Sequence, residues 1–245
     1  MQTPITHIFF DLHGTLVDTA LMSPCYAASL GDLMADTFGG DPAAWAAANQ
    51  RILADWDSYY TDLDLGGDDA MHDMWEGLFR TTRALFRLTG TPEPDHESLI
   101  RLSRELPGMV TRNCAVFYPD VVPALEMLQR AGFILATAST VIQAQVRGTL
   151  EGGGVLDRFR GPLFGADLAE RFVKDSDYYL ILARHVGAAP QSCLVVDDQA
   201  QYLHEAREAG WQVAHMARSG AADFSQPPVD WVCTSMDALV RMLVS

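Results

Sequence analysis

Hydrophobic and polar positions along this chain predict strands and helices in separate blocks. The apolar run at residues 5–10 stops abruptly at a polar turn, residues 11–15. This is typical of a buried parallel strand that presents polar residues at its carboxyl end. From about residue 18 to 111 the apolar periodicity is helical, and glycine pairs interrupt it at 39–40 and 66–67. This long block predicts an inserted helical lobe, with helices at 25–38, 43–60, 68–88 and 96–106.

Helices and strands alternate after Pro119. Strands are predicted at 133–137, 193–196 and 212–215, and helices at 121–131, 141–150, 175–186 and 200–209. Repeated strand-helix units of this length favour a parallel, doubly wound sheet with right-handed crossovers. We therefore predict an α/β fold in which residues 1–16 and 113–245 form a Rossmann-like core and residues 17–112 form a helical cap.

Composition narrows the classes of function. About half of the 245 residues are apolar, so the chain can bury a sizeable core. The formal charge of −15 would repel nucleic acids and anionic membranes, which leaves a small molecule as the expected partner. No apolar run approaches the roughly 18 residues that span a bilayer, and no basic segment precedes the first strand. We expect a cytoplasmic protein, monomeric or homodimeric, whose four widely spaced cysteines are buried free thiols.

Four separated segments carry the candidate chemistry. They are FFDLHGTLVD at 9–18, LATAS at 135–139, VKD at 173–175, and CLVVDDQ at 193–199 followed by AREAG at 206–210. In this order they resemble the four motifs of the haloacid dehalogenase (HAD) superfamily of hydrolases, and the helical lobe is inserted as in its C1-capped members. The resemblance covers nearly the whole chain. It implies a two-lobed hydrolase with a Rossmann-like core.

The resemblance implies a role for each motif residue. Asp11 matches the nucleophile, and a carboxylate at a strand end can attack phosphorus or carbon if a cation offsets the charge. Thr137 would hold a substrate oxygen, and Lys174, one of few lysines, would neutralise charge. Thr15, Thr137, Ala138 and Lys174 are the expected substrate contacts. Taken alone, Asp11 could cap a turn, Thr137 could reflect β-propensity, Ser139 could cap a helix, and Lys174 could be a surface residue.

The chain departs from the family pattern at His13, where a second aspartate usually acts as the general acid and base. An imidazole can exchange protons near neutral pH, so His13 could take over that role. In the family the backbone carbonyl at this position binds the metal, and that ligand would be retained. Dehalogenase members also lack the second aspartate. His13 is therefore equally compatible with carbon-centred chemistry or with a remodelled, silent site.

Adjacent acids end the fourth predicted strand. Asp197 and Asp198 would repel each other unless a cation is bound, and Mg²⁺ is the simplest choice. Together with Asp11 and His13 they form the predicted metal site, with Asp198 as the likelier direct ligand and Asp197 acting through water. Typical haloacid dehalogenases carry a serine- and asparagine-bearing fourth motif and need no metal.

The preferred hypothesis is a Mg²⁺-dependent phosphatase that cleaves a small anionic phosphate monoester through an aspartyl-phosphate on Asp11. The alternatives are a dehalogenase- or phosphonatase-like hydrolase that cleaves a non-ester bond, and a catalytically weak binding protein with the same fold. Aromatic and charged residues of the helical lobe, such as Trp56 and Arg80, are candidates for substrate contacts, although a packing or surface role is the better explanation for each of them.

Overall fold

The computed structural model describes residues 3–218 and 229–244. Its strands are β1 (His7–Phe10), β2 (Ile134–Ala138), β3 (Leu163–Phe164), β4 (Cys193–Asp197), β5 (Gln212–Met216) and β6 (Trp231–Cys233). They form one parallel sheet in the order β3-β2-β1-β4-β5-β6. The order reverses at β1, and open α/β sheets bind their ligands beside the strand ends at such a reversal. The predicted α/β fold with a Rossmann-like sheet is confirmed.

The central strand β1 is buried on both faces. On one face Phe9 packs against Phe164 and Trp211, with ring centroids 6.3 Å and 4.7 Å away. On the other face Ile8 and Phe10 belong to a second apolar cluster, which reaches the last helix of the chain. Burial on both sides explains why this strand is a continuous apolar run rather than an alternating one. It also fixes the position of the residue that follows the strand, Asp11.

Helices cover both faces of the sheet. Along the chain, the four helices that follow β1 form the insertion. They are α1 (Thr19–Phe38), α2 (Pro42–Ala54), α3 (Ala70–Thr89) and α4 (His96–Asn113). The others are α5 (Val121–Arg130), α6 (Gln143–Gly152), α7 (Ala166–Ala169), α8 (Ser176–Val186), α9 (Ala200–Glu208) and α10 (Met236–Val244). The structure therefore has the helical insertion that the long helical periodicity predicts.

The insertion has an apolar cluster of its own. Phe86 packs edge to face against Trp45 and Phe38, with ring centroids 5.2 Å and 5.0 Å apart. Aspartates start three of its helices, because the side chains of Asp18, Asp41 and Asp95 accept hydrogen bonds from backbone N–H groups of the first turn. Such caps satisfy donors that have no partner within the helix, and they set where each helix begins.

Two helix predictions in the insertion are wrong. The predicted helix 43–60 stops early, since α2 ends at Ala54 and a short 3₁₀ helix, Trp56–Tyr59, follows. The helix predicted to end at 106 continues through Pro107 to Asn113. Proline removes one helical hydrogen bond, but burial of Leu106 and Val110 offsets this cost. Elements β3, β6, α7 and α10 were not predicted, because the two strands and α7 have four residues or fewer and α10 lies at the end of the chain.

The cysteine prediction is confirmed in its main point, since all four thiols are free. Cys114, Cys193 and Cys233 are buried as expected, whereas Cys25 is partly exposed. Among the helices within residues 3–218 and 229–244, none combines the length and the hydropathy needed to cross a membrane.

Candidate active site

Asp11 lies at the carboxyl edge of the sheet, between two neighbouring strand ends. Its backbone N–H donates to the carbonyl of Val196 over 3.0 Å, and the strand register pairs Phe10 with Val196 and with Thr137. The chain then turns at Gly14, which has a φ of +84°. A Cβ atom at Gly14 would lie 2.4 Å from Oδ2 of Asp198, so only glycine fits this turn.

Lys174 lies between two of the carboxylates. Its Nζ donates to Oδ1 of Asp11 over 2.6 Å and to Oδ2 of Asp197 over 2.8 Å. The side chain is 1% exposed, and it is the only lysine in the chain. Burial opposes its charge, but Asp11 and Asp197 outweigh burial and hold the pKa of Lys174 well above its ordinary value. Lys174 is therefore a fixed cation beside the candidate nucleophile.

The structure brings Asp11, Asp197 and Asp198 together, with ligand oxygens all within 4.8 Å of one another. Burial raises the pKa of Asp197 to about 6, and Lys174 only partly counteracts it. Burial, and next the charge of Asp197, raise the pKa of Asp198 to about 6. Burial also raises the pKa of Asp11 in spite of Lys174. Two buried acids thus share one lysine, a third half-buried acid lies beside them, and a further cation would relieve their repulsion.

The remaining oxygens suit a hard metal ion. Both oxygens of Asp197 are engaged, one by Lys174 and the other by the backbone N–H of Gln199 over 2.8 Å. In contrast, Oδ1 of Asp198 is buried without a hydrogen-bond partner among the described residues. An unpartnered carboxylate oxygen close to other carboxylates is a typical environment for Mg²⁺. The donor set therefore fits Mg²⁺, with Asp11 and Asp198 as the direct protein ligands.

His13 lies on the turn after β1 and lines a cavity that extends into the helical insertion. Burial, and then the charge of Lys174, lower the pKa of His13, so the neutral imidazole is favoured. Its side chain is not part of the acid cluster. The predicted metal contact of this residue would come from its backbone carbonyl, and this stays a prediction.

Three other predicted residues lie in the same region but are buried. Thr15, Thr137 and Ala138 have no exposed surface, and the hydroxyl of Thr137 donates to the carbonyl of Phe164 over 3.1 Å. Oγ1 of Thr15 has no hydrogen-bond partner within the described part of the chain. Their contacts with a substrate therefore stay predictions. The alternative that Ser139 caps a helix is wrong, because α6 begins at Gln143.

The sequence did not reveal an ion pair that holds the turn after Asp11. The guanidinium of Arg218 donates to the carbonyl of Thr15 over 2.8 Å and binds the carboxylate of Asp120 over 2.7 Å. It also lies over the ring of Tyr118, 4.1 Å from the centroid. Oδ2 of Asp120 accepts a further bond from the N–H of Met236. Asp120 could be recognised only as a residue that precedes a helix, and nothing in the sequence singles out Arg218.

The parallel sheet and the acid-lysine cluster at its carboxyl edge are features expected of an α/β hydrolase. The chain belongs to the haloacid dehalogenase-like hydrolase family, which matches residues 5–210. It is 28% identical to phosphoglycolate phosphatase of Escherichia coli O157:H7 over 243 residues, which cover 92% of this chain and 88% of that protein.

Other similar proteins are named for different reactions. Enolase-phosphatase E1 of Erwinia tasmaniensis is 29% identical over 130 residues, and this match spans only 49% of the chain and 55% of that enzyme. The crystal structure of L-2-haloacid dehalogenase from Xanthobacter autotrophicus with covalently bound chloropropionic acid superposes with a TM-score of 0.59. This match has 19% identity and covers 98% of this chain and 99% of the dehalogenase. At this identity the structural likeness shows the shared fold and leaves the substrate open.

Proposed function

We propose that this hydrolase is a Mg²⁺-dependent phosphatase, which cleaves a small phosphate monoester through an aspartyl-phosphate on Asp11. The observation that carries the proposal is the half-buried Asp198, whose buried Oδ1 lacks a hydrogen-bond partner beside Asp11 and Asp197. A metal-free carbon-centred hydrolase has no use for this additional carboxylate, because it adds to the repulsion around the nucleophile. The phosphatase names of the sequence relatives support the same choice.

The residues of the site suffice for a two-step displacement. In the first step an oxygen of Asp11 forms a bond to phosphorus while the bond to the leaving oxygen breaks. Lys174 stays charged beside Asp11 and offsets the negative charge that gathers there. Asp11 and Asp198 would hold Mg²⁺ directly and Asp197 would hold it through water, and the bound ion would supply further positive charge to the site. In the second step water attacks phosphorus, and phosphate leaves Asp11.

His13 is the proposed proton carrier. In the first step the minor protonated form of His13, disfavoured by burial, donates a proton to the leaving oxygen. In the second step the neutral imidazole that remains accepts a proton from the attacking water. The position of His13 at the cavity wall allows it to meet the leaving group from the side of the helical insertion. Thr15, Thr137 and Ala138 are proposed to bind phosphoryl oxygens after a small rearrangement of this buried edge.

The helical insertion is proposed to act as a C1-type cap. Residues 17–112 would form the cap, and residues 1–16 and 113–245 would form the core that carries the catalytic groups. A cap over the aspartyl-phosphate excludes bulk water and selects the leaving group. This division of labour follows from the position of the cavity between His13 and the helices of the insertion.

The proposal is tested by turnover of a generic aryl phosphate with and without Mg²⁺. Asp11→Asn, which keeps the shape but removes the nucleophile, should lower kcat by at least about 10³-fold. His13→Asp restores the usual acid-base residue and should stay active. Magnesium-dependent phosphate release that is lost in Asp11→Asn supports the proposal.

Three results would contradict this function. Metal-independent halide release from a 2-haloacid would assign carbon-centred chemistry. Turnover by His13→Asp alone would show that the natural site is silent toward phosphate esters. Equal activity of the natural protein and Asp11→Asn would exclude the covalent route.

The metal is tested separately from turnover. Mg²⁺ should raise the Tm of the natural protein, because an ion that binds only the folded state stabilises it. In Asp198→Asn the Tm should no longer respond to Mg²⁺, while the Tm in EDTA should not fall, since a repelling buried charge is removed. An equal response of both proteins to Mg²⁺ would show that Asp198 is not a ligand.

A further inference from the structure

A cavity of about 430 Å³ lies within the helical insertion and reaches the turn after β1 at His13. His13 lines it together with residues of α1, α2, α3 and α4, and Gln145 of α6 closes one side. Its volume is in the range of pockets that hold small organic molecules, about 300 to 1,000 Å³. Since His13 lies two residues after Asp11, a group attached to a phosphoryl on Asp11 would extend into this cavity.

The wall of the cavity is mainly apolar. Its larger apolar side chains are Met22, Leu30, Ile52, Trp56, Leu85 and Leu106. None of the described residues that line it is an aspartate, glutamate, lysine or arginine. Arg80 of the insertion is not available either, because it is paired with Asp62 and Glu76. A carboxylate or ammonium on the bound molecule would therefore lose water and find no fixed opposite charge among these lining residues, which costs several kcal/mol.

One polar group in the wall is left without a partner. Asn49 of α2 lines the cavity, is 8% exposed, and has no hydrogen-bond partner for its Nδ2 within residues 3–218 and 229–244. The nearby hydroxyl of Thr81 is already used, because it donates to the carbonyl of Leu78 over 3.1 Å. A buried amide without partners is unfavourable, and a ligand with a complementary polar atom would relieve it.

We infer that the substrate is the phosphate monoester of an uncharged, largely apolar alcohol, aryl or branched alkyl, with one neutral polar group that pairs with Asn49. This inference rests on the proposed phosphatase function and adds the class of leaving group. It separates this chain from enzymes that act on small carboxylated esters such as phosphoglycolate, because the cavity offers no cation to a carboxylate. Asn49 acts as a specificity residue for the leaving group.

The first test compares two esters that differ by one charge. The kcat/KM is measured for 2-naphthyl phosphate and for its 6-carboxy derivative, whose leaving group has the same ring system. We expect the carboxylate to lower kcat/KM by about 30-fold or more, because the charge would be buried without a partner. The kcat/KM for phosphoglycolate should also be lower than that for benzyl phosphate, an ester whose leaving group carries no charge.

The second test examines Asn49 directly. The Asn49→Leu substitution replaces the amide with an apolar group of similar size. It should lower kcat/KM for 6-acetyl-2-naphthyl phosphate about tenfold more than it lowers kcat/KM for 2-naphthyl phosphate. The Tm should hold or rise, since an unsatisfied buried group is removed. The matched control is Gln50→Leu, at the next residue of α2, which is exposed. It should change neither the ratio of the two kcat/KM values nor the Tm.

Binding without turnover separates this inference from the proposed reaction. 2-Naphthol should bind to Asp11→Asn protein in the absence of Mg²⁺, and 6-carboxy-2-naphthol should bind at least about tenfold more weakly, as measured by calorimetry. If no phosphate ester is hydrolysed but these alcohols behave as expected, the phosphatase proposal fails and the cavity assignment stands. Equal or better turnover or binding of the carboxylated compounds would overturn the inference, and so would failure of 2-naphthol to bind.

Discussion

Lys174 shows how one side chain can set the electrostatics of the whole site. It is fully buried, it touches both Asp11 and Asp197, and it separates two carboxylates that would otherwise repel each other. The ring of Tyr202 lies 4.9 Å from its Nζ and adds a further favourable contact for the charge. Removal of this cation leaves uncompensated buried carboxylates, and such a loss is more costly than the loss of a surface charge.

We expect Lys174→Met to lower both activity and stability. The kcat for an aryl phosphate should fall by about 10²-fold or more, because the charge beside the nucleophile is lost. The free energy of unfolding should fall by about 3 kcal/mol or more, as measured by urea denaturation. Arg184→Met, which removes an exposed cation of α8, is the control and should change stability by less than about 0.5 kcal/mol. A stable and active Lys174→Met protein would contradict the role assigned to this lysine.

At the scale of elements, the helical insertion is attached to the core by the close packing of α4 on α6. A Cβ atom at Gly148 of α6 would lie 2.1 Å from the backbone oxygen of Gly108 in α4. The hydroxyl of Thr111 in α4 also donates to the carbonyl of Gln145 over 3.3 Å. The two glycines therefore let the two helix backbones touch, and this contact lies beside the cavity wall that Pro107 and Gln145 form.

Gly148→Ala should destabilise the protein although alanine favours helices. Helix propensity would contribute about 1 kcal/mol in favour of alanine. The clash with the backbone of Gly108 cannot be relieved by a side-chain rotation, so we expect a net loss of about 2 to 3 kcal/mol. Thermal unfolding measures this change. Gly66→Ala, at an exposed loop position with ordinary contact distances, is the control, and a similar effect of both substitutions would argue against the close helix contact.

Helices and strands could be located from the sequence where their apolar residues recur at a regular spacing. Strand β1 and its polar turn were predicted because five of the six residues that precede Asp11 are apolar or β-branched. The short strands β3 and β6 offer two and three residues, too few to show a period. Helix α4 extends beyond its predicted end at residue 106 and contains Pro107, because the buried packing of this helix keeps it continuous.

At the scale of the whole molecule, the proposed function requires a strongly acidic chain to bind an anionic substrate. The formal charge is −15, and the cation nearest to Asp11 is a single lysine. The long-range field therefore repels a phosphate ester, and only the local charges of the site attract it. Added salt screens the long-range repulsion and affects the buried contacts much less.

We expect the KM for an anionic aryl phosphate to fall as ionic strength rises at constant Mg²⁺. Between about 0.01 M and 0.15 M salt the Debye length shrinks from about 30 Å to about 8 Å, and the KM should fall roughly two- to fivefold. Binding of the uncharged 2-naphthol, measured in the same buffers, is the control and should not change. A rise in KM with salt would show that the local positive potential dominates the approach of the substrate.

The sequence by itself determined the sheet, the order of the motif segments, and the meeting of Asp11 with the pair Asp197 and Asp198. Those features follow from local apolar patterns and from the rule that parallel strands place their carboxyl ends on one edge. Only the tertiary structure decided which oxygens are engaged, where Arg218 binds, and which wall residues surround the cavity. Arg218 and Thr15 are 203 residues apart, and no motif or strand end marks Arg218. Such a side-chain contact depends on how the whole chain packs, and no local pattern encodes it.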